Sequence, residues 1–150
     1  MTGCQVSQTT TDLRFSPTTP EGKIERVLDA CELARSAGAG MVGREVTLQT
    51  PALKNLIREA LQHKGFSFIE VISDCNEIYG RKNDLGSSPE MILSQKSSIR
   101  PDSYGNVVDV PFRPNFLQTG ILSENKRPEY GEAYRWRILK QAPAEQSTSK

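Results

Sequence analysis

Apolar residues recur at helical spacing in two stretches of the first half of the chain. In residues 23–37 the intervals are three and four, which predicts an amphipathic helix that ends at Gly38. A second helix is predicted from Thr50, a capping residue followed directly by proline, up to Gly65. The apolar positions are Ile24, Val27, Leu28, Cys31, Leu33 and Ala34 in the first helix, and Leu53, Leu56, Ile57, Ala60 and Leu61 in the second.

Two shorter apolar runs lack helical spacing and predict strands. One extends from Met41 to Leu48 and the other from Phe66 to Ile72, so that each follows a predicted helix. Both are nearly continuous in apolar character, which is typical of strands covered on both faces. The order helix, strand, helix, strand predicts an α/β fold with parallel strands and crossover helices.

The pattern weakens in the second half of the chain. Glu90–Leu93 predicts one helical turn, and residues 94–115 are polar and interrupted by prolines. Gly120–Leu122 predicts a short edge strand, and Arg127 with the proline after it opens a last helix. Two or three parallel strands make a narrow sheet with unpaired edges. We therefore expect half of a larger α/β domain, completed by another chain or cut from a longer one.

Composition narrows the classes of protein that fit. The 150 residues suffice for one domain, and 36% hydrophobic with 25% charged residues is typical of a globular chain. A net charge of +1 provides no field that would attract nucleic acid or an anionic membrane. No apolar run approaches the roughly 20 residues of a membrane span. Three widely spaced cysteines, and a start unlike a signal peptide, predict a cytoplasmic protein.

Two neighbouring groups in the middle of the chain could carry chemistry. Cys75 follows the predicted strand and enters a polar loop, although a lone cysteine there is most often a small buried side chain. Arg81, Lys82 and Asn83 continue this loop. A basic loop is often only a solvated surface, and the alternative is a contact for an acidic protein partner.

Two other reactive residue types have structural interpretations. Cys31 lies on the apolar face of the first predicted helix, and we expect it in the core. His63, the only histidine, lies at the end of the second helix, where we expect a cap rather than a catalyst. The sequence contains no Ser/His/Asp set, no metal-binding histidine pair and no phosphate-loop motif.

Four stretches resemble, in order, the β subunit of 2-oxoacid:ferredoxin oxidoreductases, especially the 2-oxoglutarate type. The first resembles a Met-Thr-Gly-Gly-Gln-x-Ser-Pro-Thr-Thr segment, and the third a Lys-Gly-Phe-x-Phe-x-Glu-Val-Leu-Ser-x-Cys loop followed by Gly-Arg-x-Asn. The match covers most of residues 1–140. The stretches are MTGCQVSQTT, SPTTPEGKIERVLDACELARSAGA, HKGFSFIEVISDCNEIYGRKN and TGILSENKRPEYGEAY.

The resemblance implies the C-terminal half of a thiamine-diphosphate-binding fold, with an irregular C-terminal extension. It places Cys75 at the fourth cysteine ligand of the family's 4Fe–4S cluster, where iron needs a soft thiolate. Thr2, Gly3 and Gln5 are implied to contact the diphosphate of thiamine diphosphate, beside its Mg²⁺. Cys4 stands where the family has a second glycine, so that a side chain would crowd this turn.

The implied reaction is the oxidative decarboxylation of a 2-oxoacid, with an acyl group passing to coenzyme A and electrons passing to ferredoxin. The implied partners are an α subunit and ferredoxin. In the family, Gly-Asp-Gly-Asp, Asn-Asn and Cys-x-x-Cys motifs lie upstream of the segment that this chain matches. We therefore expect the isolated chain to be inactive. Residues 1–93 would form a partial thiamine-diphosphate-binding domain, residues 94–140 an extension typical of the β subunit, and residues 141–150 a disordered tail.

A non-catalytic module that only completes a complex with an α subunit is the alternative. The DNA immediately upstream of the Met1 codon distinguishes the two interpretations. In-frame Gly-Asp-Gly-Asp and Cys-x-x-Cys motifs there would favour the enzyme, and their absence would favour the module.

Overall fold

A computed structural model of the chain describes residues 2–11, 13–101 and 117–141. Four helices and four strands lie within these ranges. In chain order they are α1 (Ala30–Ser36), β1 (Met41–Val46), α2 (Thr50–Gln62), β2 (Ser67–Ile72), α3 (Ser88–Ser98), β3 (Ile99–Pro101), β4 (Leu117–Glu124) and α4 (Tyr130–Gln141). None of the helices in these ranges is long and apolar enough to cross a membrane.

The strands form one mixed sheet in the order β2-β1-β4-β3. Strands β1 and β2 are parallel, with Met41 opposite Ser67 and Val46 opposite Ile72, and α2 connects them. Because parallel neighbours need a crossover connection, this unit confirms the predicted α/β fold. Strand β2 lies at one end of the sheet and uses only one edge within it.

Strand β4 corrects the prediction of a short edge strand at Gly120–Leu122. It has eight residues, lies between β1 and β3, and runs antiparallel to β1. Polar and apolar residues are mixed along β4, so the sequence pattern predicts only its apolar centre, Gly120–Leu122, as a strand. A glycine in β1 permits close packing here, because a Cβ on Gly43 would lie 2.7 Å from Leu56 Cδ1 and 3.2 Å from the Gly120 carbonyl oxygen.

Helix α1 is shorter than the predicted helix over residues 23–37, whose first seven residues are not helical. The Asp29 carboxylate accepts hydrogen bonds from the backbone N–H groups of Cys31 (2.9 Å) and Glu32 (3.1 Å). A carboxylate in this position satisfies the N–H groups that the first helical turn leaves unpaired, and so it fixes the helix start.

Lys23, predicted as the first helical residue, is instead buried with 2% exposure. Its ammonium donates to the carbonyl oxygens of Gln8 (3.2 Å), Thr10 (2.8 Å) and Arg26 (3.5 Å). Ile24, next in sequence, is 85% exposed. The apolar spacing before Asp29 therefore does not mark a helix face that packs on this core.

Helix α3 extends well beyond the single turn predicted at Glu90–Leu93. The Glu90 carboxylate accepts hydrogen bonds from the backbone N–H and the hydroxyl of Ser87, both at 2.7 Å. These two hydrogen bonds from Ser87 to Glu90 cap the N-terminal end of α3 and support helix initiation. The predicted last helix is confirmed as α4. Residues 102–116 and 142–150, which include most of the polar segment and the predicted tail, lie outside the described ranges.

The core lies between α1 and the sheet. Cys31 and Val42 are almost completely buried, and the prediction that Cys31 belongs to the core is confirmed. The cluster consists of Cys31, Ala34, Ala39 and Val42, with Phe68 and Leu122 packed against it.

Candidate cofactor site

Cys75 lies just after the C-terminal end of β2, at the start of a tight π-type turn over Asn76–Gly80. The backbone N–H of Gly80 donates to the Cys75 carbonyl oxygen at 2.8 Å. A Cβ on Gly80 would lie 2.7 Å from Met91 Sδ, so glycine permits the turn to pack against α3. The half-buried thiol is thus presented by a strand end and a braced turn.

The surroundings of Cys75 favour the thiolate. The backbone N–H groups of Tyr79 and Ile78 are among the causes that lower the pKa of the Cys75 thiol, while partial burial raises this pKa. Thiolate is the form that binds iron, and backbone N–H groups beside it are the donors that clusters use. The residues at this position therefore fit one ligand of a cluster.

The first residues form a 3-10 turn, Thr2–Cys4, with two left-handed backbone positions. Gly3 has φ +67° and Cys4 has φ +59°. A Cβ built on Gly3 would meet no atom within 4 Å, so space is open beside this backbone. Gln5 is exposed. An exposed backbone turn with open space fits the approach of a diphosphate, and the assignments of Thr2, Gly3 and Gln5 stay predictions.

The first segment also contacts the loop that follows Cys75. The Asn83 side chain accepts from the Phe15 N–H (2.8 Å) and donates to the Phe15 carbonyl oxygen (3.1 Å) and to that of Tyr79 (2.8 Å). Arg81 and Lys82 are exposed, and Arg81 lies 3.5 Å from the Glu77 carboxylate. Asn83 thus joins the segment around Phe15 to the loop after Cys75, whereas Arg81 and Lys82 lie exposed on the surface.

A second cluster of potential metal ligands has another function. The ligand atoms of Asp29, Cys31 and Glu70 lie within 4.8 Å of one another. The buried Arg44 guanidinium contacts both carboxylates, at 2.6 Å from Asp29 and 2.5 Å from Glu70. Burial raises the pKa of the Cys31 thiol to about 12, although the nearby Arg44 acts to lower it, so this thiol stays protonated. The Arg44 guanidinium already pairs with both carboxylates, and we interpret the cluster as an ion-pair network.

His63 caps α2, as predicted: its backbone N–H donates to the Glu59 carbonyl oxygen at 2.9 Å. Its side chain borders an open, mostly apolar groove of about 520 Å³ between α2 and β2. We call this the β2 groove; its lining residues are Ile57, Ala60, Leu61, His63, Gly65, Ser67, Ile69 and Val71.

Known proteins are similar to this chain in sequence and in fold. Residues 1–71 match the family described as thiamine pyrophosphate enzyme, C-terminal TPP binding domain. The 2-oxoglutarate synthase subunit KorB of Methanothermobacter marburgensis is 41% identical over 129 residues, 86% of this chain and 45% of the relative. Its counterpart in Methanocaldococcus jannaschii is 44% identical over 133 residues, 88% of this chain and 49% of the relative.

A solved structure is also similar in fold. The 2-oxoglutarate:ferredoxin oxidoreductase from Magnetococcus marinus, with 2-oxoglutarate, coenzyme A and succinyl-CoA bound, aligns with a TM-score of 0.71 at 16% identity. The alignment covers 96% of this chain and 50% of that one. The present chain spans about half the length of the relatives it matches.

The fold is that of a thiamine pyrophosphate enzyme C-terminal domain, to which residues 1–71 are similar in sequence. Over most of its length the chain is similar to the KorB subunit of 2-oxoglutarate synthase. The resemblance noted from its motifs is thereby confirmed.

Proposed function

We propose that the chain is part of the β subunit of a 2-oxoglutarate:ferredoxin oxidoreductase. The observation that carries this proposal is the placement of Cys75 just after β2, at the start of the tight turn over Asn76–Gly80, whose Gly80 N–H donates to the Cys75 carbonyl oxygen. This placement supports the assignment of Cys75 as a cluster ligand. The chain is also similar to KorB over 86% of its own length.

The residues present fit part of each cofactor site. The backbone of Thr2 and Gly3, with the Gln5 side chain, would hold the diphosphate of thiamine diphosphate. Cys75 would be one of four thiolate ligands of a 4Fe–4S cluster. Bound thiamine diphosphate supplies the carbon nucleophile for decarboxylation. The carboxylate that holds Mg²⁺ and three more thiolates would come from outside this chain.

The partners follow from the same proposal. The other half of the subunit would pack against the free edge of β2 and the β2 groove, because this edge carries no lysine or proline that would block pairing. An α subunit, ferredoxin, coenzyme A and the 2-oxoacid complete the set. The same proposal places the protein in a reducing, cytoplasmic location, where three widely spaced cysteines would stay thiols.

The test compares Cys75→Ser with Cys31→Ser in the fully assembled enzyme, purified without oxygen. We expect Cys75→Ser to lose most of its iron and visible absorbance, because a hydroxyl is a poor iron ligand. Reduction of ferredoxin should fall with the cluster, while decarboxylation of 2-oxoglutarate partly survives.

Cys31→Ser is the matched control, since Cys31 is buried in the core. It should keep its iron and lose only stability, about 1–3 kcal/mol for a buried hydroxyl. Equal iron content in wild type and Cys75→Ser would contradict the ligand assignment. Absence of 2-oxoglutarate-dependent, coenzyme A-dependent ferredoxin reduction in the wild-type assembly would contradict the proposed reaction.

The free edge of β2 also favours the non-catalytic assembly module as a second candidate. A module of this kind would join its partner subunits without adding iron or binding thiamine diphosphate. The assembly experiment therefore separates the candidates, and the upstream DNA sequence provides an independent check.

A further inference from the structure

The Asn83 side chain makes a two-point contact with the backbone of one residue far away in sequence. Its Oδ1 accepts from the Phe15 N–H at 2.8 Å, and its Nδ2 donates to the Phe15 carbonyl oxygen at 3.1 Å. The second Nδ2 hydrogen is donated to the Tyr79 carbonyl oxygen at 2.8 Å. Both amide donors are used, and the geometry imitates a pair of strand hydrogen bonds between the two segments.

Independent contacts join the same two segments. The Arg14 guanidinium lies over the Tyr79 ring, 5.9 Å from its centroid. The Tyr79 hydroxyl lies 3.5 Å from the Thr11 hydroxyl oxygen. The N-terminal segment is therefore held against the Cys75 loop by side chains from both partners.

The contact of Asn83 with Phe15 and Tyr79 connects to candidate cofactor residues in both segments. Tyr79 belongs to the turn that Cys75 begins, in which the Gly80 N–H donates to the Cys75 carbonyl oxygen at 2.8 Å. On the other side, the Thr18 hydroxyl donates to the Cys4 carbonyl oxygen at 3.3 Å, which connects the segment around Phe15 to the first turn.

We propose that Asn83 is a positioning residue that fixes the candidate diphosphate turn, Thr2–Cys4, relative to the candidate cluster loop around Cys75. The inference rests on the proposed function for its cofactors, while the coupling of the two segments stands on contacts within this chain. Asn83 touches neither cofactor in this assignment. It acts by holding Phe15 and Tyr79 together.

Asn83→Asp tests this role with little change of shape. The carboxylate keeps an acceptor for the Phe15 N–H, but it replaces two donated hydrogen bonds with an oxygen facing two carbonyl oxygens. Asn55→Asp is the matched control, because Asn55 is exposed on α2 and its side-chain oxygen accepts from Arg58, an interaction that a carboxylate keeps. Arg14→Gln provides a second variant, which removes the contact with Tyr79 and leaves Asn83 intact.

The first measurement is amide hydrogen exchange in the assembled enzyme. In Asn83→Asp we expect faster exchange in residues 2–11 and in residues 75–80 together, with α2 unchanged. Arg14→Gln should produce a smaller change in the same two segments, and Asn55→Asp should produce none. Faster exchange in only one segment, or in neither, would overturn the coupling.

The second measurement is the dissociation constant of thiamine diphosphate by calorimetry, together with iron content. Loss of two hydrogen bonds should weaken cofactor binding by about tenfold, while iron stays bound because Cys75 is intact. An unchanged dissociation constant would overturn the positioning role. A wild-type assembly that binds neither cofactor would refute the proposed function instead, and the exchange measurement would then decide the coupling alone.

Discussion

Cys4 carries a side chain at a backbone position that suits glycine. Its φ of +59° lies in the left-handed region, which costs a residue with a Cβ about 1–2 kcal/mol. The resemblance to the oxidoreductase family places a second glycine at this position. The crowding expected there therefore has a backbone component, which acts on the same turn as Gly3.

We predict that Cys4→Gly strengthens binding of thiamine diphosphate to the assembled enzyme by about fivefold to tenfold, because the turn no longer carries this strain. Calorimetry measures the change. Leu13→Gly is the matched control, since Leu13 is also left-handed (φ +58°) and belongs to another turn. It should leave the affinity unchanged, and an equal gain in both variants would show that the effect is not local to the cofactor turn.

Cys31 makes stability depend on alkaline pH. Burial raises its pKa from 9.0 to about 12, so the folded protein holds this proton more tightly than the unfolded chain. The contribution to stability is complete below about pH 9 and is lost as the pH rises through about 12. Denaturant unfolding should show wild type losing stability relative to Cys31→Ala across this window. Parallel pH profiles for the two proteins would contradict the assignment.

At the scale of elements, the β2 groove lies beside an open edge of the described sheet. Val71 lines it and is 41% exposed, and the neighbouring edge of β2 has no partner strand in the described sheet. An open edge next to apolar side chains tends to pair with other chains.

Val71→Lys should therefore block association of the chain with the other half of its subunit and reduce self-association of the chain alone. A charge at an edge strand prevents both kinds of pairing. Light scattering and co-purification with the other half measure the two effects. Glu25→Lys, a charge change at an exposed position away from β2, should change neither. Normal co-purification of Val71→Lys would show that the subunit is completed elsewhere.

Local signals explain which elements could be predicted. Proline in the first turn predicts α2, although Gln49 and not Thr50 lies at the N-cap position. The connection of β1 to β2 through a helix follows from element order. The predicted start of α1 was wrong because the Lys23 ammonium is buried against carbonyl groups of a distant loop. The spacing of apolar residues does not indicate such a contact. Strand β4 was placed at an edge because its neighbours lie far away in sequence.

The candidate site also contains some features that the sequence could predict and others that it could not. The position of Cys75 after a strand could be predicted, since it depends on adjacent residues. The contact of Asn83 with Phe15 and the ion pair of Arg44 with Glu70 join residues 68 and 26 positions apart. Side chains of this kind give no local pattern, and only the folded chain reveals their partners.

At the scale of the whole molecule, the proposed function gives the chain only part of each cofactor site. We predict that thiamine diphosphate with Mg²⁺ binds the isolated chain weakly or not at all, and binds once the other half of the subunit is supplied. Gly3 and its neighbours offer backbone groups, whereas Mg²⁺ needs carboxylate oxygens as well. Calorimetry on both preparations measures the difference, and tight binding to the isolated chain would contradict this division between the halves.

The buried ammonium of Lys23 has a consequence for the segment that precedes α1. Three carbonyl oxygens surround it, an arrangement that elsewhere in proteins receives a potassium ion. Here the cation is covalently tethered to the polypeptide, so it cannot be exchanged or diluted away. We therefore expect the N-terminal segment to keep its shape regardless of which monovalent salts surround it, because the Lys23 ammonium already occupies the position that a bound cation would take.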